Sequence, residues 1–118
     1  MSIGYTQPPA VFRVSPYGVQ IATSEKWPLS FDCAPLLTGT QTVSNPVSVF
    51  WDVTNEPVIA DLSNEPYVVE SVDGTLFIVQ EIVGSVDLEA GHVYQLFITF
   101  NADSETTPLM VQAIACPF

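Results

Sequence analysis

The sequence predicts an all-β fold, a β-sandwich of seven to nine strands with an extended N-terminal arm. Tyr94, Leu96, Ile98 and Phe100 fall on every second position, which is the period of a strand with one buried face. Turn residues recur at intervals of about 8–12 positions, the spacing of short antiparallel strands. No stretch has a helical period long enough to predict a helix.

The first 25 residues are predicted to form an extended arm and the first short strands, and residues 26–118 the sandwich. The arm is Met1–Ala10. Pro8 and Pro9 lack amide donors and favour an extended, polyproline-like geometry. A single domain of this size can bury one adequate core.

The first half of the chain contains four predicted strands, which are Val11–Val14, Val19–Thr23, Trp27–Cys33 and Val47–Thr54. Ser15–Gly18 is a predicted turn, because Pro16 suits a turn and Gly18 permits a positive φ. Pro28 places the third strand at a sheet edge or at a strand start. The inward side chains of the fourth strand are predicted to be Val47, Val49, Trp51 and Val53.

The second half contains four more predicted strands, which are Tyr67–Val72, Thr75–Val83, the alternating strand ending at Phe100, and Leu109–Cys116. Asp73-Gly74 is a strong hairpin turn. Thr75–Val83 is apolar on both faces, as expected of a strand covered on two sides. A polar turn carrying Gly91 leads into the strand that begins near Tyr94.

The composition favours assembly with another chain. Apolar residues make up 47% of the sequence and charged residues only 13%, against about 25% charged in an average soluble domain. We expect some apolar surface to be buried against a partner, and we expect a homo-oligomer. The alternative is an isolated sandwich with aliphatic faces and neutral polar positions.

The charge balance excludes two classes of partner. Thirteen acids face two bases, Arg13 and Lys26, which gives a net charge of −11. Nucleic-acid binding requires clustered Lys and Arg, so we expect no nucleic-acid partner. An anionic membrane is disfavoured for the same reason, and no apolar run approaches transmembrane length.

The two cysteines are expected to be free thiols. Met1–Gln7 lacks the basic and apolar regions of a signal peptide, so folding in an oxidising compartment is not expected. Cys33 shares the apolar phase of its strand and should point into the core, and Cys116 shares phase with Met110 and Ile114. A bridge between them stays open, because it requires Cα atoms within about 7 Å.

Candidate chemistry is sparse, and we expect no enzyme. His92 is the single histidine, and no sequence-local acid or cysteine lies at metal-ligand spacing, so a structural or solvent-exposed role is expected. The acids between Asp52 and Asp73 form no calcium-loop pattern. Motifs for a serine nucleophile, a phosphate loop or a zinc protease are missing. We therefore assign no catalytic, cofactor-binding or metal residues, and no cofactor.

The candidate partner-binding residues are instead the apolar residues of the arm and the aromatics predicted to face outward, which are Ile3, Tyr5, Pro8, Pro9, Phe12, Phe50, Phe77 and Phe97. Phe50, Phe77 and Phe97 face outward if their neighbours Trp51, Ile78 and Tyr94 face inward. They then either lie under the arm or form a contact surface, and both can hold.

The segment Leu88–Tyr94, L-E-A-G-H-V-Y, resembles the entry to strand F of immunoglobulin-like and fibronectin-type-III-like sandwiches. In those folds a tyrosine corner places the ring in the core and ties the hydroxyl to upstream backbone. The resemblance implies that Tyr94 does the same. A tryptophan within the third sandwich strand, Trp51, is also immunoglobulin-like.

Lys26–Leu37, K-W-P-L-S-F-D-C-A-P-L-L, followed by Gly39-Thr40 and Val43, is similar to a group of short tailed-phage virion proteins. The similarity spans roughly Trp27 to Cys116 and leaves Met1–Glu25 outside. It implies an immunoglobulin-like fold and a virion structural role, and it transfers no catalytic residue.

We therefore expect a capsid decoration (cement) protein that binds and stabilises the major capsid shell, located in a virion assembled in the host cytoplasm. Its partners would be the major capsid protein or other virion proteins, with the arm as a clamp. The alternatives are a neck, tail or baseplate component, and a glycan- or host-binding immunoglobulin-like module.

Overall fold

A computed structural model describes residues 11–37, 41–103 and 109–118, with side chains from residue 18 onward. The predicted arm, Met1–Ala10, lies outside the described residues. The eight strands are β1 Val11–Gln20, β2 Lys26–Asp32, β3 Val43–Asp52, β4 Val58–Ala60, β5 Tyr67–Glu70, β6 Leu76–Val83, β7 Val93–Ala102 and β8 Leu109–Ala115. Helical structure among the described residues is limited to a 3₁₀ turn, Ala34–Leu36, and one α-turn, α1 Gly84–Asp87. None of the described helices is long and apolar enough to cross a membrane.

The strands form two packed sheets, which confirms the predicted β-sandwich. The larger sheet has the order β1-β8-β7-β3-β4, and the smaller has the order β2-β6-β5. Lettered along the chain, these are A-G-F-C-C′ and B-E-D, and the first strand pairs in parallel with the last. The outer edge of β2 explains why Pro28 is tolerated there, since an edge position leaves no ladder bond unmade.

The first strand differs from the prediction. Val11–Gln20 is one strand along β8, with two register shifts between Arg13 and Val19, where a turn between two strands was predicted. Gly18 has a φ of +78°, and its Cα lies so close to β8 that a Cβ would be 3.0 Å from the carbonyl oxygen of Ala113. The turn residues therefore produce a bulged strand instead of a reversal.

The core lies between the two sheets. The alternating strand β7 buries its predicted residues, because Tyr94, Leu96, Ile98 and Phe100 are all inaccessible to solvent or nearly so. Its partners from the other strands include Ile21, Phe31, Ile78, Ile82, Met110 and Ile114. The predicted hairpin turn at Asp73-Gly74 is also present, with a positive φ at Gly74.

The tyrosine corner is confirmed. The ring of Tyr94 is buried, and its hydroxyl accepts a hydrogen bond of 2.8 Å from the backbone N–H of Glu89. Cys33 and Cys116 are both buried and unbridged, as expected. Burial raises the pKa of the Cys33 thiol to about 12, and it raises the pKa of Cys116 as well.

The predicted phase of β3 is wrong. Phe50 is only 1% exposed and stacks on Tyr94 with ring centroids 4.9 Å apart, whereas Val47 and Val49 face solvent. The reason is a bulge: the pairing with β7 shifts by one residue between Ser44 and Val47. A one-residue shift moves every later side chain to the other face. Trp51 therefore lies on the outer face, where it is half-buried.

The inverted phase also turns Ser48 toward the other sheet. Its hydroxyl donates to the side-chain oxygen of Gln80, which is fully buried on β6, at 2.6 Å. The Gln80 amide nitrogen donates to the carbonyl oxygens of Asn64 and Glu81. Because both groups are paired, this polar link between the sheets leaves no buried donor unsatisfied.

Candidate functional site: an apolar sheet face

The outer surface of the five-stranded sheet is the strongest candidate for a partner-binding site. Register and alternation place one set of side chains on it. We call this set the apolar face, and it consists of Val47, Val49, Trp51, Ile59, Val93, Gln95, Phe97, Thr99, Leu109, Val111 and Ala113. Nine of these eleven side chains are hydrophobic, and none is acidic, although the chain carries thirteen acids.

The side chains of the apolar face form rows across the strands. Val49 of β3 lies opposite Phe97 of β7, which lies opposite Val111 of β8. The next row runs from Ile59 through Trp51. Cross-strand neighbours of this kind are about 4.5–5.5 Å apart at Cβ, so the rows are contiguous from β4 to β8. Val111 at the β8 end is only 5% exposed, so the part open to solvent is toward β3 and β4.

Exposure is highest at the β3–β4 side of the apolar face. Ile59 is 61% exposed and Val47 is 53% exposed. The strand β4 has only three residues and pairs with the end of β3, so Val47 and Val49 lie on a stretch of β3 without a described neighbour on that side. An apolar surface of this extent on a small domain is a candidate for contact with another molecule.

The outer face of the smaller sheet is different in character, because it carries charges that interact. Glu81 lies 3.9 Å from the ammonium of Lys26 and accepts a hydrogen bond from the Tyr67 hydroxyl at 3.3 Å. Asp32 is exposed on the same face. The two outer faces of one sandwich therefore differ in charge, and only the larger one is suited to burial.

The structure does not bring the predicted contact residues together. Ile3, Tyr5, Pro8 and Pro9 lie outside the described residues, and Phe12 is described only by its backbone, which pairs with Met110. The prediction that Phe50 faces outward is wrong, since it lies in the core. Phe77 and Phe97 are half-buried on opposite outer faces of the sandwich.

Among the members of the apolar face, sequence reasoning identifies only Phe97. Val47, Val49 and Trp51 are predicted to face inward, and this prediction is wrong because of the bulge in β3. Alternation alone favours that inward assignment, so the pairing with β7 is required to find the outward set.

A second cluster gathers the single histidine and two acids. The Nδ1 atom of His92 lies 2.6 Å from Oδ2 of Asp52, and its Nε2 atom lies 3.4 Å from Oε2 of Glu89. The expectation that no acid lies near His92 at ligand spacing is therefore wrong. Glu89 precedes it by three residues, and Asp52 comes from the neighbouring strand β3.

The electrostatics of this cluster favour an ion pair. The hydrogen bond to Asp52 raises the pKa of His92 above its ordinary value. Desolvation raises the pKa of Asp52, but hydrogen bonds from Thr54 and His92 outweigh it and hold that pKa below its usual value. Both shifts favour a charged imidazolium between two carboxylates.

Asp52, Glu89 and His92 are also the described group that could supply metal ligands, with ligand atoms within 4.8 Å of one another. A structural zinc site takes four protein ligands, and three are present in this cluster. Both ring nitrogens of His92 already face carboxylates, so the geometry fits a protonated imidazolium between two carboxylates better than a metal site.

The pH dependence of stability follows from these shifts. Because the folded pKa of His92 is raised, its contribution is fully present below its unfolded value near pH 6.5 and is lost as pH rises through the folded value. The contribution of Asp52, whose pKa is lowered, is lost as pH falls through its folded value. We expect urea unfolding to show a stability loss as pH rises above about 6.5, and His92→Gln should remove it.

The pKa itself can be measured directly, because His92 is the only histidine and gives one pair of imidazole proton resonances. An NMR titration should place the pKa of His92 above about 6.5, and Asp52→Asn should lower it. A wild-type pKa at or below that of a model peptide would contradict the ion pair.

Comparison of the chain with protein-family models, curated proteins and solved structures finds no match. The fold and the two clusters described above therefore carry the functional argument.

Proposed function

We propose that this protein is a non-enzymatic virion structural module, a capsid decoration protein that docks on the major capsid shell through the apolar face. One observation carries the docking surface: a continuous apolar face without acids on a chain whose net charge is −11. The resemblance of Lys26–Leu37 to short tailed-phage virion proteins is the reason for proposing a virion as the place where the protein acts.

The distribution of charge suits such an attachment. Burying a carboxylate without a partner costs several kcal/mol, so a stable protein contact avoids unpaired acids at its centre. Asp61 and Glu65 border the apolar face beside Val47 and Ile59, where they are exposed and can remain solvated at the rim of a contact. The net negative charge then disfavours contact between the apolar faces of two copies, so this face stays available for the shell.

The glycan-binding alternative lacks comparable support. It requires exposed aromatic rings beside loop acids. The shallow depression next to His92 is lined by Asp52, Glu56 and Ile59 among others, and no Phe, Tyr or Trp is among its lining residues. Docking through a protein surface is therefore the better fit to the described part of the chain.

Val49→Asp tests the proposal. The new carboxylate would lie at the centre of the apolar face, and its desolvation should weaken binding to the shell about 100-fold, or about 2.7 kcal/mol. The measurement is co-sedimentation of the purified chain with empty shells assembled from the major capsid protein of the same virus, at several chain concentrations.

Val69→Asp is the matched control. Val69 is a strand valine with the same exposed fraction as Val49, 38%, but it lies on the outer face of the smaller sheet. Because Asp has a lower strand propensity than Val, we expect both variants to lose about the same free energy of unfolding, at most about 1 kcal/mol. Shell binding that survives Val49→Asp as well as it survives Val69→Asp would overturn the assigned face, and no binding by the wild type would overturn the shell as partner.

A further inference from the structure

A groove of about 470 Å³ opens between the end of β1 and the strand β2. Its apolar lining includes Val19, Ile21, Leu29 and Phe31. Trp27 also lines it and is 44% exposed, although its register partner Ile82 is fully buried. The indole of Trp27 therefore points toward the space between the sheets but remains about half exposed. At this place no described residue covers the edge of the sandwich.

The same groove borders an open sheet edge. The strand β2 has β6 as its one hydrogen-bonded neighbour among the described strands, because β1 pairs with β8 in the other sheet. In constant-type immunoglobulin domains the first strand lies beside the second, in a four-stranded A-B-E-D sheet. Here the sheet is B-E-D, so no described strand takes the position beside β2.

The backbone of β2 has hydrogen-bonding groups that point to the open edge and could pair with one more strand. The N–H of Cys33 donates to the carbonyl oxygen of Leu76 on β6. Since hydrogen-bonding direction alternates along a strand, the N–H groups of Ser30 and Asp32 point to the open edge. Pro28 shares that phase and has no N–H, but its carbonyl is a free acceptor for a partner strand.

We propose that this groove receives the N-terminal segment of a second copy of the chain, which adds as an antiparallel strand beside β2. The segment that precedes Pro8-Pro9 includes Met1–Gln7 and is long enough to lie along the seven residues of β2. The segment has no charged side chain, so it can approach a chain of net charge −11 without repulsion. The groove is separate from the apolar face, so this inference goes beyond the proposed function.

Alternation within the segment fits the groove. Ile3 and Tyr5 are two positions apart and therefore share one face of a strand. With Ile3 opposite Leu29 and Tyr5 opposite Trp27, both side chains enter the groove and the tyrosine packs against the exposed indole. The same register places Ser2 opposite Ser30 on the outer surface of the smaller sheet.

A second copy is favoured over the segment of the same chain by the position of β1. The groove adjoins the last residues of β1, whereas the segment is attached at its first residue, Val11. Val11 and Gln20 pair with Leu109 and Ala115, six residue steps or about 20 Å apart along β8. A return within one chain would have to reverse direction at Pro8-Pro9, which favour extended geometry.

The test is a disulfide cross-link between full-length chains. Ser2→Cys and Ser30→Cys variants are mixed, with glutathione disulfide as the oxidant, and covalent dimer is measured on a non-reducing gel. We expect at least about tenfold more mixed dimer than from Ser2→Cys with Ser63→Cys, an exposed control position outside the groove. The native thiols do not compete, since both are buried and the pKa of each is raised.

A doubly substituted chain, Ser2→Cys with Ser30→Cys, separates the two possible sources of the segment at high dilution. Covalent dimer supports exchange between copies, whereas a monomer with an internal bridge overturns it. A mixture that gives no excess over the Ser63→Cys control also overturns it. Light scattering with size-exclusion chromatography gives a second readout: the wild type should be a concentration-dependent dimer or larger, and Tyr5→Asp should be monomeric.

Discussion

Phe50→Ala should lower the free energy of unfolding by about 4 kcal/mol, the largest loss that we expect from a single truncation in this chain. Phe50 is 1% exposed, and its ring is stacked on Tyr94, with an angle of 4° between the planes. Removing the ring would leave a cavity between the two sheets, and it would take away the surface against which the tyrosine corner packs. Urea unfolding followed by fluorescence, with the midpoint and slope fitted separately, measures the loss.

Phe97→Ala is the matched control, because the same side chain is removed from the outer face of the same sheet. Phe97 is half-buried, so the expected loss is about 1 kcal/mol. Phe50 and Leu96 are paired across β3 and β7, and Val49 and Phe97 form the adjacent pair. Equal losses from the two alanine variants would show that the one-residue shift in β3 is misplaced.

The strand β7 shows what sequence alone can predict. One of its phases is apolar throughout, whereas the other mixes Val93 and Phe97 with polar residues, and no register shift interrupts its pairing with β8. The residues of the apolar phase are therefore buried as expected, namely Tyr94, Leu96, Ile98 and Phe100. The turn before them has a positive φ at Gly91, which is the turn residue that the sequence predicted. Where pattern and pairing agree over a whole strand, the buried face can be read directly.

The strand β3 shows why the same method fails. Periodicity favours the wrong face, because Val47, Val49 and Trp51 share one phase, whereas Phe50 shares the other with polar residues such as Ser48. The deciding feature is the bulge near Asn45, which has a φ of 52°. Asparagine tolerates this conformation, and Pro46 beside it has no N–H to donate, but neither residue fixes the position of the shift.

The two clusters depended on pairing in the same way. Asp52 and His92 are 40 residues apart, and only the β3–β7 ladder brings them within hydrogen-bond distance. The apolar face combines residues from four strands, so its lack of acids is visible only after the strand order is known. Composition predicted that apolar surface would be exposed, and the fold was required to say where.

Gly84→Ala is the second substitution with a large expected effect, a loss of about 3 kcal/mol. A Cβ at this position would overlap the carbonyl oxygen of Ala22 and would lie 2.8 Å from that of Glu25. Both are backbone atoms of the turn between β1 and β2, so a rotamer change cannot relieve the clash. The N–H of Gly84 also donates to the Glu25 carbonyl oxygen at 2.8 Å, which holds α1 against this turn.

The turn has little freedom to move away, since the Ala22 N–H is bound by the Glu25 side chain and the Thr23 N–H by the carbonyl oxygen of Phe118. Gly74→Ala is the control, because a Cβ there meets nothing within 4 Å and only its positive φ of 87° is strained, at about 1 kcal/mol. Urea unfolding of both variants should separate steric from conformational cost, and an equal loss would contradict the close approach at Gly84. Because this turn sets the position of β1 relative to β2, Gly84→Ala should also disturb the groove beside Trp27 and weaken the cross-link through it.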